Sequence, residues 1–311
     1  MVELFQGIKV DWLGKRKLFF GISIALMLVG MASLVVKGNF RYGLDFKGGT
    51  LVRVKFQEAV DIGAIRQLMP QANIQTARTI GSASALPEYQ IELQQASATE
   101  EQPVDASAGL EEVTRALNTV YAGKFTIEGS EGISPKVGGE LRRQAVSATI
   151  YALVGILIYI ALRFEWIYGA AAVFAVFHDT LVTLGLFSLL DYEINLTVIA
   201  ALLTLVGYSV NDTIVVFDRV RENLKTRRRD DFETVLNDSI NQTLSRTILT
   251  SGLTFMTVIS LFIFGGAIIN NFAFAMVIGI IVGTYSSVAV AAPLVLVYTN
   301  TMRSRMTLNR R

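Results

Sequence analysis

The chain has no cysteine, one histidine, five prolines and two tryptophans in 311 residues. Without cysteine there are no disulfides, no iron–sulfur clusters and no thiolate zinc sites, and the redox compartment stays open. A single histidine, His178, leaves too few ligands for a histidine-rich metal centre. Charge of one sign is also missing: 28 Lys and Arg against 26 Asp and Glu leave a net charge of +2. No basic surface for nucleic acid follows from that balance. There is no Ser–His–Asp spacing, no metal cluster and no nucleotide loop, so neither an enzyme nor a cofactor is read here. What the chain does have is apolar residues, 52% of the total, with a mean hydropathy of +0.47. Soluble domains of this length are rarely so apolar.

Six segments reach the roughly 20 residues needed to cross a ~30 Å hydrocarbon core. They run from Leu18 to Val36, and near Ala145–Leu162, Trp166–Leu190, Ile194–Phe217, Ile248–Ile269 and Phe272–Tyr298. The first has a basic flank, Lys15, Arg16 and Lys17, and is longer than the ~7–15-residue core of a signal peptide. It reads as an uncleaved anchor. Asp191–Glu193 and Gly265–Asn271 are short enough to close two helical hairpins. Lys and Arg concentrate in the N-terminal tail, at Arg163, in Arg219–Arg229 and in the C-terminal tail, and are missing from the alternate loops. The positive-inside rule then places both termini in the cytoplasm, and the family resemblance given below implies that the membrane is the bacterial inner membrane. The expected plan is residues 1–37 as tail and first span and 38–143 as an extracytoplasmic domain. Residues 144–298 are then spans two to six with a cytoplasmic loop at 218–246, and 299–311 a cytoplasmic tail.

The domain between spans one and two alternates in a readable order. Thr50–Phe56 has strand periodicity, and Val60–Met69 reads as a helix with Asp61 as N-cap and Pro70 as its stop. Asn73–Ile80 and Glu88–Leu93 read as strands, Gly109–Tyr121 as a helix and Lys124–Ser134 as a last strand. That β-α-β-β-α-β order is the ferredoxin-like pattern. The expected fold class is therefore an α-helical membrane protein with six transmembrane helices and one ferredoxin-like domain. The fold alone assigns no function, and a module that contacts other proteins is expected. Gln94–Ser107 reads as a loop. Ahead of the first strand, Gly48–Gly49 reads on physical grounds as a plain turn.

Ionisable residues inside a membrane are expensive and mark function. His178 and Asp179 fall in the middle of the third span. Asp212, with Ser209 and Asn211 beside it, falls in the inner half of the fourth. Arg246 falls at the start of the fifth, within reach of Asp212 if its side chain extends along the helix. Asp212 either rests in a static buried ion pair, rests hydrogen-bonded to Ser209, Asn211 or Thr213, or switches, with protonation following the arginine's approach. Asp179 and His178 are read as polar support. Gly279 and Gly283 make a GxxxG in the last span, suited to close helix packing. Asp230–Thr247 is amphipathic and is expected to lie along the membrane interface.

Five stretches together resemble the SecF family of the bacterial SecD–SecF protein-translocation complex. They are YGLDFKGGT (Tyr42–Thr50), FHDTLVTLG (Phe177–Gly185), GYSVNDTIVVFDRVREN (Gly207–Asn223), SINQTLSRTILTS (Ser239–Ser251) and GTYSSVAVAAPL (Gly283–Leu294). They span nearly the whole chain in order; the segment Gln94–Ser107 is the main departure. The resemblance implies a SecD partner supplying a second six-span half, contact with the SecYEG channel, a translocating preprotein and membrane lipids, and use of the proton gradient late in export. It also implies that Asp212 and Arg246 are this chain's proton-pathway residues. Gly43, Asp45, Gly48, Gly49 and Thr50 are the family motif. The competing expectations are half of a small-molecule or lipid exporter, or a scaffold without transport.

Overall fold

The computed structural model describes residues 9–77, 88–93, 106–163 and 165–308. Long apolar helices follow from the sequence because a chain in hydrocarbon must satisfy its backbone internally. The chain begins with α1 (Arg16–Lys37) and then forms a small sheet. Four further long helices follow: α5 (Pro135–Arg163), α6 (Trp166–Leu189), α7 (Leu196–Thr226) and α8 (Phe232–Phe264). The last span is α9 (Gly266–Ser286), a π turn at Ser287–Ala291 and α10 (Ala292–Leu308). Among the described residues, six helices are long and apolar enough to cross a membrane.

Burial ranks these helices. α6, α7 and the last span form the centre, where Leu205, Val216, Phe217 and Ala291 are almost fully buried. α1, α5 and α8 lie outside and present large apolar side chains, among them Leu28, Leu157 and Met256. α1 reaches the centre through one close backbone approach. A Cβ on Gly30 would come within 2.6 Å of the Gly185 Cα on α6. Below that contact, Ser33 and Ser188 hydroxyls lie 2.9 Å apart, and Lys37 Nζ donates to the Ser188 carbonyl at 2.6 Å.

The sheet lies between α1 and α5 in the chain. Its strands are β1 (Gly49–Phe56), β2 (Asn73–Ala77), β3 (Glu88–Leu93) and β4 (Phe125–Ile133), in the order β2-β3-β1-β4 and all antiparallel. Period-2 alternation puts Val52, Val54 and Phe56 on one face. That face meets Ile65 of α3 (Ile62–Leu68) and Val113 and Leu117 of α4 (Ala106–Tyr121) in a single core. Elements therefore fall close to where the alternation put them. Residues 94–105 of the expected loop and 78–80 of the expected second strand lie outside the described residues.

A short connector docks the sheet on the helices. After α1, residues 41–43 run beside the α6–α7 turn: Ile194 N donates to the Arg41 carbonyl and Gly43 N to the Ile194 carbonyl, both at 2.8 Å. The short helix α2 (Leu44–Lys47) follows. Its Asp45 Oδ2 accepts from the Leu196 amide at 2.9 Å, while Asn195 Oδ1 accepts from Val198 N at 3.0 Å. Two side chains thus satisfy the exposed amides at the start of α7, and the aspartate also suits that helix's positive end. Replacing Asp45 by alanine is expected to destabilise this junction by about 1 kcal/mol. Faster hydrogen exchange at the Leu196 amide, with exchange in the centre of α7 unchanged, is the readout.

Two expectations need correction. Asp230–Thr247 does not lie along an interface. The only break is a turn at 227–231, and α8 runs unbroken from Phe232 through the fifth span. Its apolar face, Phe232, Leu236 and Ile240, is buried against Leu13, Phe217 and Val220 rather than lipid. Likewise Asn270 and Asn271 are not part of the turn between the last two spans. The reversal is at Gly265–Gly266, with Gly266 at φ 75°, and both asparagines lie within α9.

Candidate functional site within the helices

α7 turns a buried polar stripe inward: Ser209, Asp212 and Thr213 are almost inaccessible. These positions are three and four residues apart and share a face. Two polar clusters form on that face.

The first is centred on Asp179 of α6. Its Oδ2 accepts from Ser209 Oγ of α7 at 2.6 Å and from Ser286 Oγ of α9 at 2.8 Å. Its Oδ1 lies 2.9 Å from His178 Nδ1. Three helices therefore converge on one carboxyl group. Gly283 makes this possible, since a Cβ there would sit 3.2 Å from Ser209 Cβ and 3.6 Å from Asp179 Oδ2. One turn earlier, Gly279 seats the Leu205 side chain. The GxxxG thus packs α9 on α7 within the chain. His178 Nε2 is buried without a hydrogen-bond partner.

The second cluster is centred on Asp212, whose surroundings are sparser. Ser251 Oγ of α8 donates to its Oδ2 at 2.9 Å, its one hydrogen bond among the described residues. Arg246 forms no ion pair with it. Arg246 precedes Ser251 by five residues, about 7 Å along the helix axis, and is exposed. Asn211 is exposed too and joins neither cluster. Ser251 also lines a cleft of about 460 Å³ between α1, α8 and α9, walled by Trp12, Phe255 and Tyr285. On the same face of α7, the Thr213 hydroxyl lies 3.1 Å from that of Ser287 in the π turn. π turns inserted in α-helices recur at functional sites. Among the described residues, no three His, Asp or Glu side chains converge to hold a metal ion.

The motif glycines and their neighbours serve the other end of the bundle. Gly43 packs on Asn195, Asp45 caps α7, and Gly48 and Gly49 turn the chain into β1 with φ of 77° and 141°. Thr50 is buried beneath Gly109 of α4, where a Cβ would overlap its side chain.

A family model described as the SecD/SecF GG motif matches residues 33–60. A second, described as the C-terminal part of the protein export membrane protein SecD/SecF, matches residues 112–301. The chain belongs to the SecF family of protein translocase subunits. The SecF of Calditerrivibrio nitroreducens is 45% identical over 92% of this chain and 93% of its own length. That of Koribacter versatilis is 39% identical over 96% of this chain and 93% of its own. The crystal structure of SecDF from Thermus thermophilus, a translocon-associated membrane protein, superposes with a TM-score of 0.80 at 35% identity. That match covers 94% of this chain but only 39% of the SecDF chain. SecDF in its super-membrane-facing form gives 0.72 at 35% identity.

Three residues on the buried faces, Ser251, Ser286 and Thr213, make side-chain contacts that the sequence pattern alone does not assign. The available signal was a hydroxyl on the buried face at each position, legible only once the helix faces are known.

Proposed function

We propose that this SecF chain is one six-span half of a proton-driven export unit, and that Asp212 carries its proton. The observation that carries this reading is the contrast between two buried aspartates. Asp179 is fully engaged by three side chains, as a packing group in a low-dielectric interior must be. Asp212 has a single serine donor, an arginine nearby that does not touch it, and a cleft beside its donor. Movement of Arg246 toward or away from Asp212 changes which protonation state the site holds. One charge crossing 100 mV supplies about 2.3 kcal/mol, and each pH unit adds about 1.36 kcal/mol. That is enough to bias a helix or domain movement.

The partner is a SecD half. The exposed apolar faces of α1 and α8 around the cleft are the surface such a half would cover, and the solved SecDF chain is more than twice the matched length. Arg163 and Arg221 lie near one end of the bundle, joined to Asp218, Arg219 pairs with Glu222, and Arg16 pairs with Glu233 there. The sheet stands at the other end. The positive-inside rule makes the arginine end cytoplasmic, with both termini inside the bacterial inner membrane. Residues 38–143 are then an extracytoplasmic domain. The order β2-β3-β1-β4 with two helices on one face supports the ferredoxin-like reading. This domain handles the preprotein late in export beside the SecYEG channel, and lipids meet the outward face of α5.

The test uses inverted vesicles containing the chain with SecD, a preprotein stalled halfway and ATP removed. Completion is expected to need the proton gradient in the native chain and to ignore it in Asp212→Asn, which keeps the shape and the Ser251 contact. If both chains respond to the gradient alike, Asp212 is structural and the scaffold reading takes its place.

A further inference from the structure

The sheet meets the helices through one glutamate in the α6–α7 turn. Glu193 Oε1 accepts from Arg41 Nε at 2.9 Å and from Asn73 Nδ2 of β2 at 2.7 Å. Its Oε2 lies 3.4 Å from Gln75 Nε2, and its carbonyl accepts from Asn271 of α9 at 3.1 Å. The same Asn73 nitrogen donates to Glu92 Oε2 of β3 at 3.0 Å, while Asn73 Oδ1 accepts from Arg41 Nη2 at 3.0 Å. Carboxyl groups from the sheet and from the helix turn therefore share one amide nitrogen, with one arginine beside both. The contact borders a cleft of about 370 Å³ lined by Glu92, Glu193, Gln75 and Asn271.

The charged groups facing Glu92 are few. Glu193 comes from the α6–α7 turn, Arg41 from the connector and Asp45 from α2. Asp45 is engaged by the Leu196 amide. Arg53 of β1 and Glu131 of β4 line the cleft and pair with each other, and β2 offers only the amides of Asn73 and Gln75.

We propose that this contact is a pH-sensitive latch: the sheet stays docked on the α6–α7 turn while Glu92 is protonated and loosens when Glu92 ionises beside Glu193. One arginine is shared between two carboxyl groups, so a second negative charge at the contact goes uncompensated. Burial first, and then the charge of Glu193, push the Glu92 carboxyl above the usual glutamate range, while Asn73 and Arg41 draw it partly back. The elevation exists only in the docked state. Docking is therefore favoured below the raised pKa and weakens as pH rises through it. The latch rests on the proton-driven reading for its physiological sense, since that reading puts the sheet on the proton-rich side, where a gradient would hold it closed.

The chain lacks cysteine, so spin labels on Thr126→Cys in β4 and Leu190→Cys beside the turn, both exposed, report the sheet-to-helix distance cleanly. Full-length protein in lipid nanodiscs is measured from about pH 5 to about pH 8, the range into which burial and a like charge move a carboxyl group. Each unit of pKa elevation is worth tenfold in the docking equilibrium, so the undocked population is expected to rise measurably from the acid to the alkaline end of that range. Glu92→Gln and Glu193→Gln are each expected to stay docked and flat across that range; the second serves if the first does not fold. A native distance that ignores pH, or a variant that keeps the native transition, overturns the latch. Asp212→Asn is expected to keep the transition, so the latch and the proton-carrying role fail in separate assays.

Discussion

Arg246→Leu is expected to remove the gradient-driven step while leaving the fold intact. Arg246 is exposed on α8 and forms no ion pair with Asp212. Its replacement touches no buried network, and surface changes of that kind shift stability by no more than about 0.5 kcal/mol. Its charge is a different matter. At an effective dielectric near 20, two unit charges 4 Å apart interact by about 4 kcal/mol, which is more than a hundredfold in a protonation equilibrium. If the arginine's approach sets when Asp212 releases its proton, Arg246→Leu in the vesicle assay loses at least about tenfold of gradient-stimulated completion. Arg246→Lys retains a point charge and is expected to fall between leucine and native. Unaltered thermal unfolding alongside lost stimulation separates this role from a structural one. Full stimulation in Arg246→Leu would remove the arginine from the site.

The apolar helices and the strands of the sheet were legible because each is a local pattern: a run long enough to span, or an alternation of period two. What failed depended on partners. The stretch Asp230–Thr247 is amphipathic whether its apolar face meets lipid or protein, and only the burial of Leu236 and Ile240 against α7 and Leu13 decides between them. On the same helix Asn237 and Asn241 bind the backbone near the N-terminus: Asn237 Oδ1 accepts from Trp12 N at 2.9 Å and Asn241 Oδ1 from Val10 N at 3.1 Å. Gly30 and Gly185 each sit in an ordinary apolar helix, and nothing in either helix announces that the two backbones touch. Within the candidate site, Asp212, Asp179 and His178 stood out because ionisable groups in hydrocarbon are rare. The hydroxyls that distinguish the two aspartates did not, because serine is ordinary in membrane helices. Asn211 was drawn in by adjacency alone, and its helical position turns it away.

Gly49→Ala is expected to give the largest loss of stability in the sheet domain. Both glycines of the turn sit where other residues are strained. Gly48 lies at φ 77° and ψ 162°, outside the left-handed helical region and in one open essentially to glycine alone. Gly49 lies at φ 141°, a region open essentially to glycine alone and worth about 1–3 kcal/mol of strain for any other residue. A Cβ at Gly49 would also overlap the Leu93 carbonyl oxygen of β3 and come within 2.7 Å of Leu44 Cδ1. The leucine can rotate away. The carbonyl cannot, because β1 and β3 are held in register there, with Thr50 opposite Leu93. Strain and overlap together should reach about 3 kcal/mol or more, a large share of the 5–15 kcal/mol that holds a domain. For a domain of this size each kcal/mol lowers Tm by about 4–8 °C, so Gly49→Ala should unfold the sheet at least about 12 °C earlier. Gly48→Ala, which brings backbone strain of about 1–3 kcal/mol away from Leu93, should shift it by less. Protease susceptibility of the sheet against temperature in membranes measures both. Equal shifts for the two variants would mean that the turn, rather than the approach of Gly49 to Leu93, is what the double glycine provides.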